Sequence, residues 1–327
     1  MTAPGWGDER SRPPTPHEIP PDDDGELPPS DEGPPGGGVF SLEGRRAPGL
    51  YLAAWLLAGT GLVLAFVIGP MASSETAGFA LILFGLVLAL LGLAAGAGAQ
   101  VMERQDRHPD RYRGPSPLLA FAVWLFLIFI VGLLVSLVSV EDAGTPGSFL
   151  LVAAIQTVAY FVVVGLFAVR TSALSWSDMG WPTWVGSELR SSVRAIGIGI
   201  GLMLPATFAI GIVGAILAAI LGVEPESPVP MPETSLEVIL VAVVVVILAP
   251  VGEELFFRGF TLTAWMRDLG ARSALLRSSV LFAVIHLAGI ATSDPLEGVG
   301  QSILTLVVLF PVGYVCGWLF VRYGLRS

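Results

Sequence analysis

Apolar residues in this chain come in long, nearly unbroken runs separated by short polar connections. That pattern matches neither the period-two alternation of a half-buried strand nor the stripe of an amphipathic surface helix. A helix that crosses a bilayer needs about 20 mostly apolar residues. Eight runs meet or approach that length, at residues 50–70, 77–99, 118–140, 149–170, 194–222, 236–256, 275–292 and 299–321. The seventh is short, which a span surrounded by other helices tolerates. The pattern predicts an all-α polytopic integral membrane protein with about eight transmembrane helices.

Composition agrees. Hydrophobic residues make up 54% of the 327 residues and charged residues 13%, against about 25% charged in an ordinary soluble domain. Mean hydropathy is +0.76. The lipid bilayer is the expected surrounding, and no nucleic-acid partner is expected. The formal charge of −10 says little about the membrane part, because much of the acid lies in residues 1–47, in stretches such as "PPDDDGELPPSDEGPPGGG". That segment is rich in Pro, Gly and acid and poor in aliphatic side chains, so it reads as a disordered, solvating cytoplasmic tail. It lacks the basic flank and apolar core of a signal peptide. The chain divides into this tail (1–47), four N-terminal transmembrane helices (48–170) and a second membrane domain (171–327). The single cysteine, Cys316, lies inside an apolar run, so neither an intramolecular disulfide nor a cysteine-based metal site is expected.

Basic residues set the orientation. All 17 are arginine. Arg45 and Arg46 precede the first span; Arg104, Arg107, Arg111 and Arg113 follow the second. Arg170, Arg190 and Arg194 lie between the fourth and fifth, Arg258, Arg267, Arg272 and Arg277 between the sixth and seventh, and Arg322 and Arg326 follow the eighth. The intervening connections, "GPMASSETAG", "EDAGTPG", "GVEPESPVPMPETS" and "SDPLEG", contain none. Under the positive-inside rule both termini are cytoplasmic, in a plasma or inner membrane. Trp176, Trp181 and Trp184 suit an interfacial segment entering the fifth span. Small residues four apart, Gly92 with Gly96 and Gly313 with Gly317, would let helices approach closely.

One stretch departs from this economy of charge. "GEELFFRGF", residues 252–260, directly follows the apolar "VILVAVVVVILAP". Ionisable residues near hydrocarbon are usually paired or functional. At about 100° per residue, Arg258 shares a helix face with Glu254 four positions earlier, in the favourable order of acid before base. Glu253 points roughly 140° away from Arg258 on the same reckoning. Glu254 is therefore expected to be tied to Arg258, and Glu253 to be available as a general base.

Of the three histidines, His17 lies in the tail and His108 in the arginine-rich "RHPDRYR" connection, where a solvated role is expected. His286, in "VLFAVIHLAG", lies inside the seventh span with no charged neighbour in sequence. A lone histidine there is often just hydrogen-bonded to the next helix. Yet the sixth and seventh spans are antiparallel neighbours, with Glu253 near the cytoplasmic end of one and His286 ~12 Å along the other from Ser278. A carboxylate and an imidazole converging on one cavity can hold and deprotonate a water, with or without a metal. Phe282, one turn before His286, could hold the imidazole or simply fill the core.

"EELFFR" fits the pattern EExxxR and "FAVIH" fits FxxxH. With these motifs one span apart, the chain resembles the CPBP family of intramembrane proteases, which includes the CAAX prenyl endopeptidases and bacterial immunity-type relatives. The resemblance covers about the last 150 residues, from "SWSDMGW" onward. It implies an endopeptidase acting near the cytoplasmic face on peptide or protein substrates, prenylated ones among them. It assigns water activation to Glu253, water or metal binding to His286, and a supporting role to Glu254 and Arg258. A divalent metal such as zinc, on Glu253 and His286, and a metal-free glutamate mechanism are both compatible with it. Nothing resembles a soluble H-E-x-x-H zinc site. The family's third motif, HxxxN in a further helix, has no counterpart after "GYVCGWLFVRYG". A truncated protease is one expectation from that. The other is a non-catalytic scaffold or immunity-type protein with a structural Glu254–Arg258 pair. A proton- or ion-coupled transporter ranks last, because the spans offer few other ionisable residues and no matched broken helices.

Overall fold

The computed structural model describes residues 42, 45–104, 112–138, 145–181, 189–224, 229–290 and 294–323. The tail, apart from Leu42 and residues 45–47, lies outside the described residues, as do His17, His108 and Trp184. The described residues form helices, with no strand among them. Eight helices are long and apolar enough to cross a membrane. They are α1 (Pro48–Ile68), α2 (Glu75–Arg104), α3 (Pro117–Val138), α4 (Pro146–Val169), α5 (Leu189–Leu221), α6 (Ser235–Leu269), α7 (Ala271–Gly289) and α8 (Pro295–Tyr323). The protein is a multi-pass, all-α membrane protein.

The two ends of the bundle are built differently. At the arginine-free end, each helix that starts there has a short polar side chain on its first free N–H groups. Ser74 Oγ accepts from Ala77 N at 3.2 Å in α2, and Thr145 Oγ1 accepts from Ser148 N at 3.2 Å in α4. Thr234 and Glu237 form a reciprocal capping box on α6, and Asp294 Oδ1 accepts from Leu296 N at 2.8 Å in α8.

At the other end, ion pairs join the helix ends. Arg45 meets Glu103 at 2.9 Å, Arg104 meets Asp268, and Arg267 meets Asp178 at 2.9 Å. The ends of α2 and α6 and the connection after α4 therefore lie together, as alternating spans require.

Glycines set the closest approaches. A Cβ on Gly61 would lie 2.3 Å from Ala89 N, and one on Gly92 would lie 2.2 Å from Ala58 N, so α1 and α2 pack backbone to backbone. On α8, a Cβ on Gly313 would sit 3.0 Å from the Phe282 ring, and one on Gly317 would sit 2.9 Å from Leu275.

The core is aromatic and runs across the bundle. Trp124 of α3 stacks on Tyr160 of α4 with ring centres 4.6 Å apart, and Tyr160 meets Phe256 of α6 at 5.2 Å. Phe256 meets Phe257, and Phe257 meets Phe282 of α7 edge-on at 5.4 Å. One continuous buried cluster thus links α3 and α4 to α6 and α7.

α6 differs most from expectation. It does not stop near residue 256 but continues to Leu269, where Gly270 (φ 78°) turns the chain in a conformation open to glycine. Its second half mixes apolar residues with two glutamates, two arginines, two threonines and an aspartate. It is nonetheless buried, because protein surrounds it instead of lipid: residues 255–262 are all buried. Over Val244–Leu248 and again over Glu254–Leu262 the helix widens to π geometry, with bonds to the fifth residue instead of the fourth. Thr157 of α4 donates into the first wide segment, 2.9 Å from Leu248 O, and Ser278 of α7 into the second, 3.0 Å from Phe257 O.

Candidate functional site

Glu253 is the last residue before the second wide segment, and Glu254 the first within it. The angular step there is smaller than the 100° of a regular helix, so the divergence expected for the two acids does not rest on regular geometry. They part nonetheless. Glu254 Oε1 lies 3.1 Å from Arg258 Nη1, while Glu253 turns toward α7.

Arg258 is 1% exposed. Among the described residues neither of its terminal nitrogens makes a well-aligned hydrogen bond, so the tie to Glu254 is ionic. Its guanidinium lies over the Phe282 ring, 4.3 Å from the centre, a favourable cation–π contact.

α7 begins at Ala271, earlier than the apolar run suggested, and its α-helical part ends at Ile285. His286 opens a short 3₁₀ turn that closes the helix. It stands ~22 Å along α7 from the Gly270 turn, and Glu253 stands ~24 Å along α6 from the same turn. The two are level, and His286 lies the expected ~12 Å along the helix from Ser278. The tightening at His286 lets its Nδ1 come within 2.7 Å of Phe282 O. A carbonyl can only accept, so Nδ1 carries the proton and Nε2 presents a lone pair.

That Nε2 lies 3.7 Å from Glu253 Oε1. The separation is too long for a direct hydrogen bond and suited to one atom held between them. Both side chains are partly exposed, at 31% for His286 and 24% for Glu253. Phe282 has both roles considered for it: its ring packs on His286 at 4.6 Å and on Arg258, and its carbonyl fixes the imidazole.

The fold therefore brings together Glu253, Glu254, Arg258, Phe282 and His286. It also adds neighbours that carry no local sequence signal. Tyr160 of α4 lies within electrostatic reach of Glu253 and Arg258. A Cβ on Gly252 would meet its ring at 2.8 Å, so the missing side chain lets α4 close on the site. Cys316 of α8 lies within reach of Arg258, Glu254 and Glu253, with its Sγ 3.9 Å from Met203 Sδ of α5.

As donors, Glu253 and His286 make a pair. Catalytic zinc sites use three protein ligands, and no group of three or more His, Cys, Asp or Glu that could hold a metal occurs among the described residues. The donor set described here does not fit such a centre.

Comparison with known proteins gives one positive result. The family model described as Type II CAAX prenyl endopeptidase Rce1-like matches residues 235–326. No curated protein and no solved structure matches the chain. The matched segment is α6 to α8, the three helices that carry both glutamates, Arg258, Phe282, His286 and Cys316. Over these residues the chain is similar to the Rce1-like family of CAAX prenyl endopeptidases.

Proposed function

We propose that the protein is an intramembrane endopeptidase in which Glu253 is the general base and His286 helps to hold the attacking water. The observation that carries this reading is the 3.7 Å separation of Glu253 Oε1 and His286 Nε2, with Nδ1 committed to the Phe282 carbonyl. Both facing atoms are acceptors, and a water between them can donate one hydrogen to each.

In the reaction Glu253 takes a proton from the water as its oxygen bonds to the scissile carbonyl carbon. The carbonyl π electrons move to oxygen. When the C–N bond breaks, the proton on Glu253 passes to the departing amine, which leaves an acid and an amine and restores the carboxylate. Arg258, fixed by Glu254 and Phe282, places a buried positive charge near the developing anion without reaching the reacting atoms. The family match supports a peptide or protein substrate carrying a C-terminal prenyl group, and the arginine pattern supports a site reached from the cytoplasmic side. A divalent cation on Glu253 and His286 would need donors beyond those two.

The test uses the full chain in proteoliposomes with a farnesylated C-terminal reporter peptide. Glu253→Gln and His286→Ala should each lower cleavage by about 10²–10⁴-fold with normal membrane insertion and unchanged melting. If both variants still process a peptide that the parent processes, the reading fails. A scaffold with a structural Glu254–Arg258 pair would then take its place.

A further inference from the structure

α5 is attached to the bundle differently from the other spans. Among the described residues it packs on α8 and on no other helix in comparable measure. Apolar side chains on its remaining faces, Leu204, Phe208, Ile216 and Ile220 among them, are exposed, as suits contact with lipid.

Its two halves are held unequally. In the half toward the arginine-free end, Ala218 and the nearby Val223 form a small buried cluster with Leu304 of α8. A Cβ on Gly214 would sit 3.0 Å from Val308, and one on Gly300 would sit 2.5 Å from Val223. Gln301 of α8, itself buried, donates through Nε2 to the Glu224 carbonyl just after the helix. In the other half, only Gly199 is buried among residues 197–205. A Cβ on Gly197 or Gly201 would meet no atom within 4 Å. Met203 Sδ rests there 3.9 Å from Cys316 Sγ, and a thiol is a weak donor and a thioether a weak acceptor.

Pro205 divides the halves. It has no N–H to give the Gly201 carbonyl one turn earlier, and long helices bend at such residues. Cys316 lies within reach of Arg258, Glu254 and Glu253, so Met203 borders the site and Pro205 stands near its depth.

A substrate anchored in one leaflet must come to a site at this depth sideways, out of the lipid. We propose that the half of α5 before Pro205 is a lateral gate, hinged at that proline, which swings away from α8 to admit a lipid-anchored substrate to Glu253 and His286. What passes the gate rests on the peptidase reading above, whereas the hinge rests on the packing alone. Loosely packed segments turning on a few residues commonly control entry to enzyme sites.

Two measurements on the full chain test the gate, one of motion and one of cleavage. For motion, nanodisc samples in a Cys316→Ser background carry spin labels on Leu204→Cys and Val158→Cys, or on Ile216→Cys and Val158→Cys, all exposed positions. Loss of the thiol removes the sulfur contact and so can only free the gate. Pulsed electron resonance should give two distances for the 204 pair and one for the 216 pair. A single, equally narrow distance for both pairs would overturn the proposal.

For cleavage, Met203→Cys and native Cys316 are bridged in proteoliposomes with ethanediyl bismethanethiosulfonate and given the farnesylated reporter. The bridge should lower cleavage at least about tenfold by depopulating the admitting state, and a reductant should restore it. The same bridge between Ala218→Cys and Leu304→Cys, in the Cys316→Ser background, should leave cleavage as in its own reduced form. Undiminished cleavage with the 203–316 bridge in place, or equal loss from both bridges, would overturn the proposal. A parent that cleaves nothing would sink the peptidase reading instead, and the distance pairs would still decide the hinge.

Discussion

Replacing Arg258 by Met keeps most of the side-chain stem and removes the charge. Three contributions follow from its surroundings. The Glu254 contact at 3.1 Å has a gross Coulomb energy of about 5 kcal/mol at an effective dielectric constant of 20. Glu254 is 37% exposed, and solvent screening reduces that to roughly 2 kcal/mol. The cation–π contact with Phe282 at 4.3 Å adds about 1 kcal/mol. Against these stands the relief of desolvation once a buried guanidinium is gone. The expected net loss is about 2–3 kcal/mol for Arg258→Met, and less for Glu254→Gln, whose carboxylate is partly hydrated. Because the double variant leaves no unpaired charge, it should recover roughly half of the Arg258→Met loss. The assay is a double-mutant cycle by chemical denaturation in mixed micelles, read by tryptophan fluorescence. If Arg258→Met lies within about 0.5 kcal/mol of the parent, or the two changes simply add, the pair does not hold the site together and the reasoning is wrong.

Other perturbations probe the same frame. Gly313→Ala places a Cβ 3.0 Å from the Phe282 ring and 3.3 Å from the Ser279 backbone; it should cost about 1 kcal/mol in stability and lower peptide cleavage more than that loss of folded protein explains. Thr157→Val removes the hydroxyl that reaches Leu248 O and should cost ~0.5–1.5 kcal/mol in thermal denaturation. Burial pushes the Asp178 carboxyl up, but hydrogen bonds from Ser175 and the nearby Arg267 outweigh it and hold the group below the usual carboxylate range. Its stabilising contribution is thus present above the unfolded-state value of about 4 and lost as pH falls through the lower folded-state value. The melting difference between the parent and Asp178→Asn should stay constant from neutral pH down to about 4 and close below it. A difference that closes between pH 7 and 5 would contradict that assignment.

The spans were legible because hydrocarbon demands length and apolarity and little else, and seven of the eight lie within a few residues of the hydropathy runs. The sixth was misjudged at its end for the same reason. The segment from Phe257 to Leu269 is enclosed by α4, α7 and α8 and never had to satisfy lipid, so its buried character left no hydropathy signal. The Glu254–Arg258 pair and the meeting of Glu253 with His286 followed from helical spacing and antiparallel neighbours. The wide helical turn could not be foreseen, since π geometry is chosen by tertiary packing around Phe256, Phe257 and Phe260. Tyr160 and Cys316 were invisible as site neighbours, because distant helices bring them in and neither belongs to a recognisable local pattern. The four caps at the arginine-free end could have been found: Ser74, Thr145, Thr234 and Asp294 each directly precede a run that starts a helix.

Phe282 touches Arg258 with its ring face and His286 with both its ring and its carbonyl. During synthesis the sixth helix leaves the ribosome before the seventh. Until the seventh docks, Arg258 has no aromatic cover and Glu253 no imidazole opposite it. The glutamates and arginine thus enter the membrane as an ordinary ion pair and acquire a second partner only with the arrival of the next helix. A nascent chain halted between the two motifs would carry the acids without the centre they help to form, which ties the timing of competence to the order of insertion.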